Sequence, residues 1–142
     1  MVIIMKINVY DYLSEDAMMI RKQVFMDEQG FENEIDDTDR IASHIVMYND
    51  NDEPIATCRV FEESENNYIL GRLAVVKSYR GMNIGERMVR EAEKLVMEKG
   101  GTLIMLHSQC RVKGFYEKSG YAPFGEIGYD EGCPHIWMKK QL

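Results

Sequence analysis

Long hydrophobic runs are missing from this sequence. None approaches the roughly 20 apolar residues that a membrane-spanning helix needs, so no such helix is expected. Cysteine is scarce. Cys58, Cys110 and Cys133 form an odd, scattered set without metal-ligand spacing, which argues against a bound metal and for a reducing, cytoplasmic setting. The first residues, Met1 to Lys6, carry no leading basic region and no cleavage site, so no signal peptide is expected. Positive charge is the minority: 17 Lys and Arg against 24 Asp and Glu give a net charge of -7, which speaks against general nucleic-acid binding. An acidic surface suits a cationic substrate, although solubility accounts for most of it. Repeats, low-complexity tracts and linkers are also absent, and 142 residues suffice for one domain, 1–142, with a sizeable core. The acidic stretch from Glu32 to Asp39 lacks the glycine and closing glutamate of a calcium loop.

Periodic apolar segments are plentiful. Val2 to Tyr10 reads as a strand. Ser14 is a helix cap followed by Glu15 and Asp16, and Ala17, Ile20, Val24 and Phe25 form a helical face that Gly30 ends. His44–Tyr48, Ile55–Phe61 and Tyr68–Val76 read as an antiparallel meander with polar turns between its strands. A long helix follows to about Lys99, then a buried strand, Thr102–His107. Strand, helix and strand form a right-handed crossover, so those two strands should be parallel neighbours. A short helix over Val112–Ser119 and strands over Tyr121–Ile127 and His135–Lys139 complete the chain, with a loop from Gly128 to Pro134. The order β-α-β-β-β-α-β-α-β-β predicts a single α+β domain with a mixed sheet. The eleven methionines are most simply core filler.

The crossover carries the functional signal. Its first strand runs into Lys77-Ser78-Tyr79-Arg80-Gly81-Met82-Asn83-Ile84-Gly85, and the helix then begins. Strand, glycine loop and helix present free N–H groups and a positive helix end to an anion, and Lys77, Arg80 and Arg87 add charge of the same sign. Neither the Walker nor the dinucleotide glycine pattern is present, which makes a nucleotide triphosphate binder the weakest reading.

Arg80-Gly81-Met82-Asn83-Ile84-Gly85 after Leu73-Ala74-Val75 resembles the pyrophosphate loop of the GNAT superfamily of acetyl-CoA-dependent N-acetyltransferases. Asn83 stands where that family usually has its middle glycine, and Asn tolerates a left-handed backbone. Gln109 to Tyr121 resembles a second GNAT segment in which Phe115, Tyr116 and Gly120 match, while Gln109, Val112 and Tyr121 replace Asn, Ala and Phe. The segments Arg21–Gly30, Glu34–Asp39 and Glu131–Met138 resemble the ElaA-like branch of the family.

The resemblance implies the acyl-CoA N-acyltransferase fold: three α/β/α layers around a mixed, mostly antiparallel twisted sheet of six or seven strands with a central splayed parallel pair. It also implies that the backbone of Leu73, Ala74 and Val75 pairs with the cofactor's pantetheine arm. Arg80, Gly81, Met82, Asn83, Ile84, Gly85 and Glu86 would surround the pyrophosphate, with Gln109 and Phe115 also at the cofactor. Tyr116 would be the general acid to the CoA sulfur, against a structural reading as a core tyrosine. His107, at a strand end, could accept the amine's proton or simply bond to a loop. Glu28, Asp39, Arg59, Arg72 and His135 are acceptor-side candidates. Solvation suits such carboxylates equally well, and solvent-facing or salt-bridged arginine suits Arg59 and Arg72. His44 is a weaker candidate, and an acetyl-cysteine at Cys110 ranks low because no His–Cys pairing is visible. The expected activity is direct acetyl transfer from acetyl-CoA to a primary amine in a ternary complex. The competing expectation is a non-catalytic acyl-CoA sensor or interaction domain, and a homodimer is possible in either case.

Overall fold

A computed structural model describes residues 5–32 and 34–142. The expected strand residues Val2 to Ile4, and Asn33 of the acidic stretch, lie outside the described residues. Seven strands form one sheet in the order β1-β2-β3-β4-β5-β7-β6. They are β1 (Lys6–Tyr10), β2 (Ser43–Tyr48), β3 (Pro54–Ser64), β4 (Asn67–Val75), β5 (Leu103–Gln109), β6 (Ala122–Asp130) and β7 (Cys133–Gln141). Among the described residues only β4 and β5 are parallel, as the crossover required, and the other pairs are antiparallel.

Both faces of the sheet are covered. Ile45 and Met47 of β2 point to a core shared with Met88, Val89, Ala92 and Val96 of α2 (Ile84–Glu98). Val46 and Tyr48 point the other way, onto Ala17 and Ile20 of α1 (Glu15–Arg21) and Val24 beyond it. Two covered faces explain why β2 and β3 read as continuous apolar runs rather than alternating ones. Gly101, between α2 and β5, allows that packing. A Cβ there would lie 2.8 Å from the Tyr68 ring and closer still to Val96. Gly101→Ala is therefore expected to cost about 1–3 kcal/mol by overpacking, read as a lowered denaturation midpoint with an unchanged m-value.

The first helix departs from the sequence reading. Ser14 caps it as expected, its Oγ accepting from Ala17 N at 3.2 Å. The α-helical part stops at Arg21, and Lys22–Glu28 continues as a π-helix before Gly30 at φ 78°. Widening to i→i+5 spacing rotates the later side chains relative to the α-helical face; Val24 is buried, Phe25 packs at the margin of the same cluster, and both reach a cleft. The acidic stretch contains a 3₁₀ turn, Asp37–Arg40. The expected loop from Gly128 to Pro134 is instead mostly strand: β6 and β7 pair through Asp130↔Cys133, leaving a two-residue turn at Glu131 (φ 49°) and Gly132 (φ 78°). The turn-forming residues along that stretch hide a tight hairpin whose positive φ angles match the strand twist.

Candidate active site

Strand β4 parts from β5 halfway along. Their pairing ends at Leu70↔Leu106, while β5 continues along β7 to Gln109↔His135. A bulge in β4 lies just past the parting: Arg59 pairs with Gly71 and Thr57 with Ala74, and Arg72 between them takes φ 53°. A non-glycine residue there is strained by about 1 kcal/mol or more. Ion pairs hold it, from Arg72 Nε to Glu34 and from Nη2 to Asp36 at 3.2 and 3.3 Å. Bulge and splay together leave Leu73–Val75 with β3 on one side only. Val76 N donates to Ile55 O on β3 at 2.9 Å, so by strand alternation the polar groups of Val75 point to the open edge.

That edge forms one wall of a continuous cleft of about 1330 Å³. At one end stands the loop before α2. Gly81 has φ 79°, and Asn83 adopts the left-handed conformation expected of it, φ 60° and ψ 22°. Among the described residues no side chain caps the N-terminus of α2, so its first N–H groups keep their hydrogen-bonding capacity. Ile84, Gly85 and Glu86 line this end, whereas Met82 does not and is half exposed. Gly85 packs closely here: a Cβ there would lie 3.0 Å from the Phe115 ring, which rises from the short helix α3 (Lys113–Lys118) and would have to give by a few tenths of an ångström.

Tyr116 follows Phe115 on α3 and lines the same cleft. Its ring meets those of Phe115 and Tyr121 edge-on, with centroids at 5.0 and 6.0 Å. Among the described residues nothing hydrogen-bonds its hydroxyl. Burial, with a smaller effect of Cys58, pushes the phenol well above its ordinary value, so it holds its proton at neutral pH. His107 stands exposed at the far end of β5, stacked 4.8 Å from Trp137 and 4.8 Å from His135. Desolvation, then His135, moves its pKa below the ordinary histidine value against an opposing effect of Asp130, so the ring is neutral at pH 7. His135 is buried, and its Nδ1 lies 2.9 Å from Cys133 O.

A strand edge open to an extended chain, a left-handed turn leading into an uncapped helix and a protonated phenol thus share one cleft. A family model described as an acetyltransferase (GNAT) domain matches residues 10–142. The chain belongs to the GNAT acetyltransferase family. It is 33% identical over 129 residues to the uncharacterized N-acetyltransferase YjcF of Bacillus subtilis strain 168, covering 89% of this chain and 91% of that protein. To protein ElaA of Escherichia coli K12 it is 25% identical over 131 residues, 88% of this chain and 85% of that one. The crystal structure of E. coli ElaA has the same fold, with a TM-score of 0.83 at 24% identity over 98% of this chain and 99% of that one. An aminoglycoside 6′-N-acetyltransferase solved with coenzyme A also shares the fold, with a TM-score of 0.71 at 20% identity over 96% of each chain. As a GNAT protein the chain is an acyltransferase.

Other candidate residues of this GNAT chain fall less simply. Arg59 lies apart from the cleft, buried and committed to Asp36 at 2.6 Å and Asp39 at 2.8 Å, which is the salt-bridged alternative. Asp39 is held between Arg59 and Arg21 and is likewise unavailable to an acceptor. His44 is buried with Nε2 2.9 Å from Asp39 O. Arg72 lines the cleft as the bulge residue described above. Gln109 lines it too, but its side chain joins Gln29 at 2.8 Å and Arg111 at 2.8 Å. Cys110 does not line the cleft.

The sequence reading missed several lining residues. Phe25, Gln29 and Phe31 approach from the π-helical segment, and Asp130, Glu131 and Cys133 from the β6–β7 hairpin. Glu131 Oε1 accepts from Glu32 N at 3.0 Å, joining the two segments across the cleft. The apolar period runs unbroken through Ala17, Ile20, Val24 and Phe25, so the sequence carried no signal for the widened turn.

Proposed function

We propose that the whole of 1–142 works as one N-acetyltransferase domain, passing an acetyl group from acetyl-CoA to a primary amine by direct transfer in a ternary complex. The observation carrying this reading is the open edge Leu73–Val75, which meets the uncapped start of α2 in the cleft that also holds the Tyr116 phenol. The fit to the cofactor follows from those groups. An extended amide-bearing arm suits a strand edge with no neighbouring strand, and a diphosphate suits free helical N–H groups. Residues Leu73, Ala74 and Val75 would hold the arm, and the Gly81–Gly85 amides the diphosphate.

Bound acetyl-CoA supplies an activated acyl carbon and a thiolate leaving group. The chain supplies the proton management. An alkylammonium has a pKa of about 10.4 and cannot attack until it loses a proton. Neutral His107 accepts that proton, directly or through water. Tyr116 donates its phenolic proton to the departing sulfur. His135 orients His107 through ring contact, fixed itself at the Cys133 carbonyl.

Release of free CoA from acetyl-CoA across a panel of amines tests this reading. Turnover with at least one primary amine is expected. The acid limb of kcat/KM should lie below the ordinary histidine value of about 6.5, because His107 resists protonation, and His107→Gln should abolish that limb. Binding of CoA without turnover on any amine would instead mark the chain as an acyl-CoA sensor.

A further inference from the structure

Arg80 binds both walls of the cleft at once. Its Nε donates to Val75 O at 3.0 Å, on the open edge of β4. Its Nη1 and Nη2 pair with the Glu28 carboxylate at 2.8 and 3.0 Å, at the end of the π-helical segment opposite. The side chains remain 42% and 29% exposed. An exposed ion pair of this kind is weak and readily exchanged. Gly81, which begins the anion-binding loop, is the next residue along the chain. A diphosphate seated there competes for the same guanidinium with more charge and more acceptor oxygens than one carboxylate offers.

We propose that Arg80 is exchanged between Glu28 and the cofactor's diphosphate, so that cofactor loading uncovers the Val75 carbonyl and hands the Glu28 carboxylate to the acceptor's ammonium group. The proposal rests on the acetyl-CoA reading above. It assigns one side chain the task of linking the two substrates, with no movement of the backbone. It also makes a cationic amine the acceptor class, since Glu28 already lines the cleft and loses its cationic partner only in the loaded enzyme. Lys77 is the other cation near Glu28, and it acts through space without a hydrogen bond.

Calorimetric titration of the purified protein with CoA tests the exchange. Glu28→Gln should tighten CoA by about two- to fivefold, because Arg80 no longer has to leave a carboxylate. Arg80→Ala should weaken it by about tenfold or more. In the Arg80→Ala background, Glu28→Gln should change nothing. Equal tightening in both backgrounds would mean that Glu28 merely repels the cofactor, and the exchange is wrong. Unchanged affinity in Glu28→Gln, with wild-type binding intact, overturns the exchange and leaves the acetyl-CoA reading standing. Failure of the wild type to bind CoA removes both. Carbon NMR of the Glu28 carboxyl gives a separate readout. Its titration midpoint, held low first by the Arg80 hydrogen bond, should rise on saturation with CoA, and a fixed midpoint overturns the proposal.

Discussion

Tyr116→Phe should lower turnover by about a hundredfold or more while CoA affinity stays within about twofold of wild type. The substitution removes one oxygen and keeps the ring, so the edge-on contacts with Phe115 and Tyr121 survive. No described residue hydrogen-bonds the hydroxyl, so no buried partner is left unsatisfied and the fold should hold its stability. Loss of turnover with intact binding then isolates the proton delivered to the leaving sulfur. The raised phenol pKa works in the same direction, since an acid must still carry its proton at the operating pH. Steady-state kinetics beside calorimetry decide the matter. Near-normal kcat in the variant would return Tyr116 to a purely structural role.

Arg21→Met should lower stability by about 3–5 kcal/mol. Arg21 is 1% exposed and lies at the junction where α1 becomes π-helical. Its Nε pairs with Glu34, its Nη1 with Asp39 at 2.8 Å, and its Nη2 with Glu34 O at 2.9 Å. Arg59 and Arg72 complete a network of three cations and three carboxylates with Asp36. Removing Arg21 leaves two buried carboxylates undercompensated, and the melting temperature should fall by about 10 °C or more.

The pH dependence of that loss follows from the two carboxyls. Burial would raise the Asp39 pKa, but hydrogen bonds from Arg21 and Arg59 outweigh it and hold the group far below the ordinary range. Its stabilisation is therefore complete above the unfolded value of about 3.9 and fades as pH falls through the folded one. Glu34 runs the other way. Burial raises it despite Arg21, so its contribution is complete below the unfolded value of about 4.3 and is lost as pH rises from there through the higher folded one. Without Arg21 both carboxyls favour the protonated form more strongly. The gap between variant and wild type should narrow as pH drops from 7 towards 4.5, measured by thermal melts across buffers. A gap that stays constant would show that packing, not charge, is what Arg21 supplies.

The parts of the fold that were legible share a local cause. The α2 face, the Ser14 cap and the crossover that makes β4 and β5 parallel each depend on short-range spacing or on the handedness of the chain. The left-handed turn at Asn83 belongs with them, because few residues other than Asn and Gly adopt it readily. The β6–β7 hairpin was misread because Gly128 to Pro134 offers several positions for a turn, and pairing with β5 on the far edge of β7 chooses among them. The π-helical segment left no mark in the apolar pattern, since Ala17, Ile20, Val24 and Phe25 keep ordinary α-helical spacing.

By itself the sequence determined the order of elements, the glycine loop that opens α2 and the positions of Tyr116 and His107, to which the proposal above gives roles. Tertiary structure alone decided which charges were spoken for. Arg59 and Asp39 looked as available as Glu28 along the chain, yet the first two are buried in a closed ion network and the third lines the cleft. The reason is that a charge is priced by its surroundings: desolvation and partner distance arise from residues 20 and 52 positions away, as in Arg59–Asp39 and Arg80–Glu28, and no local pattern encodes them.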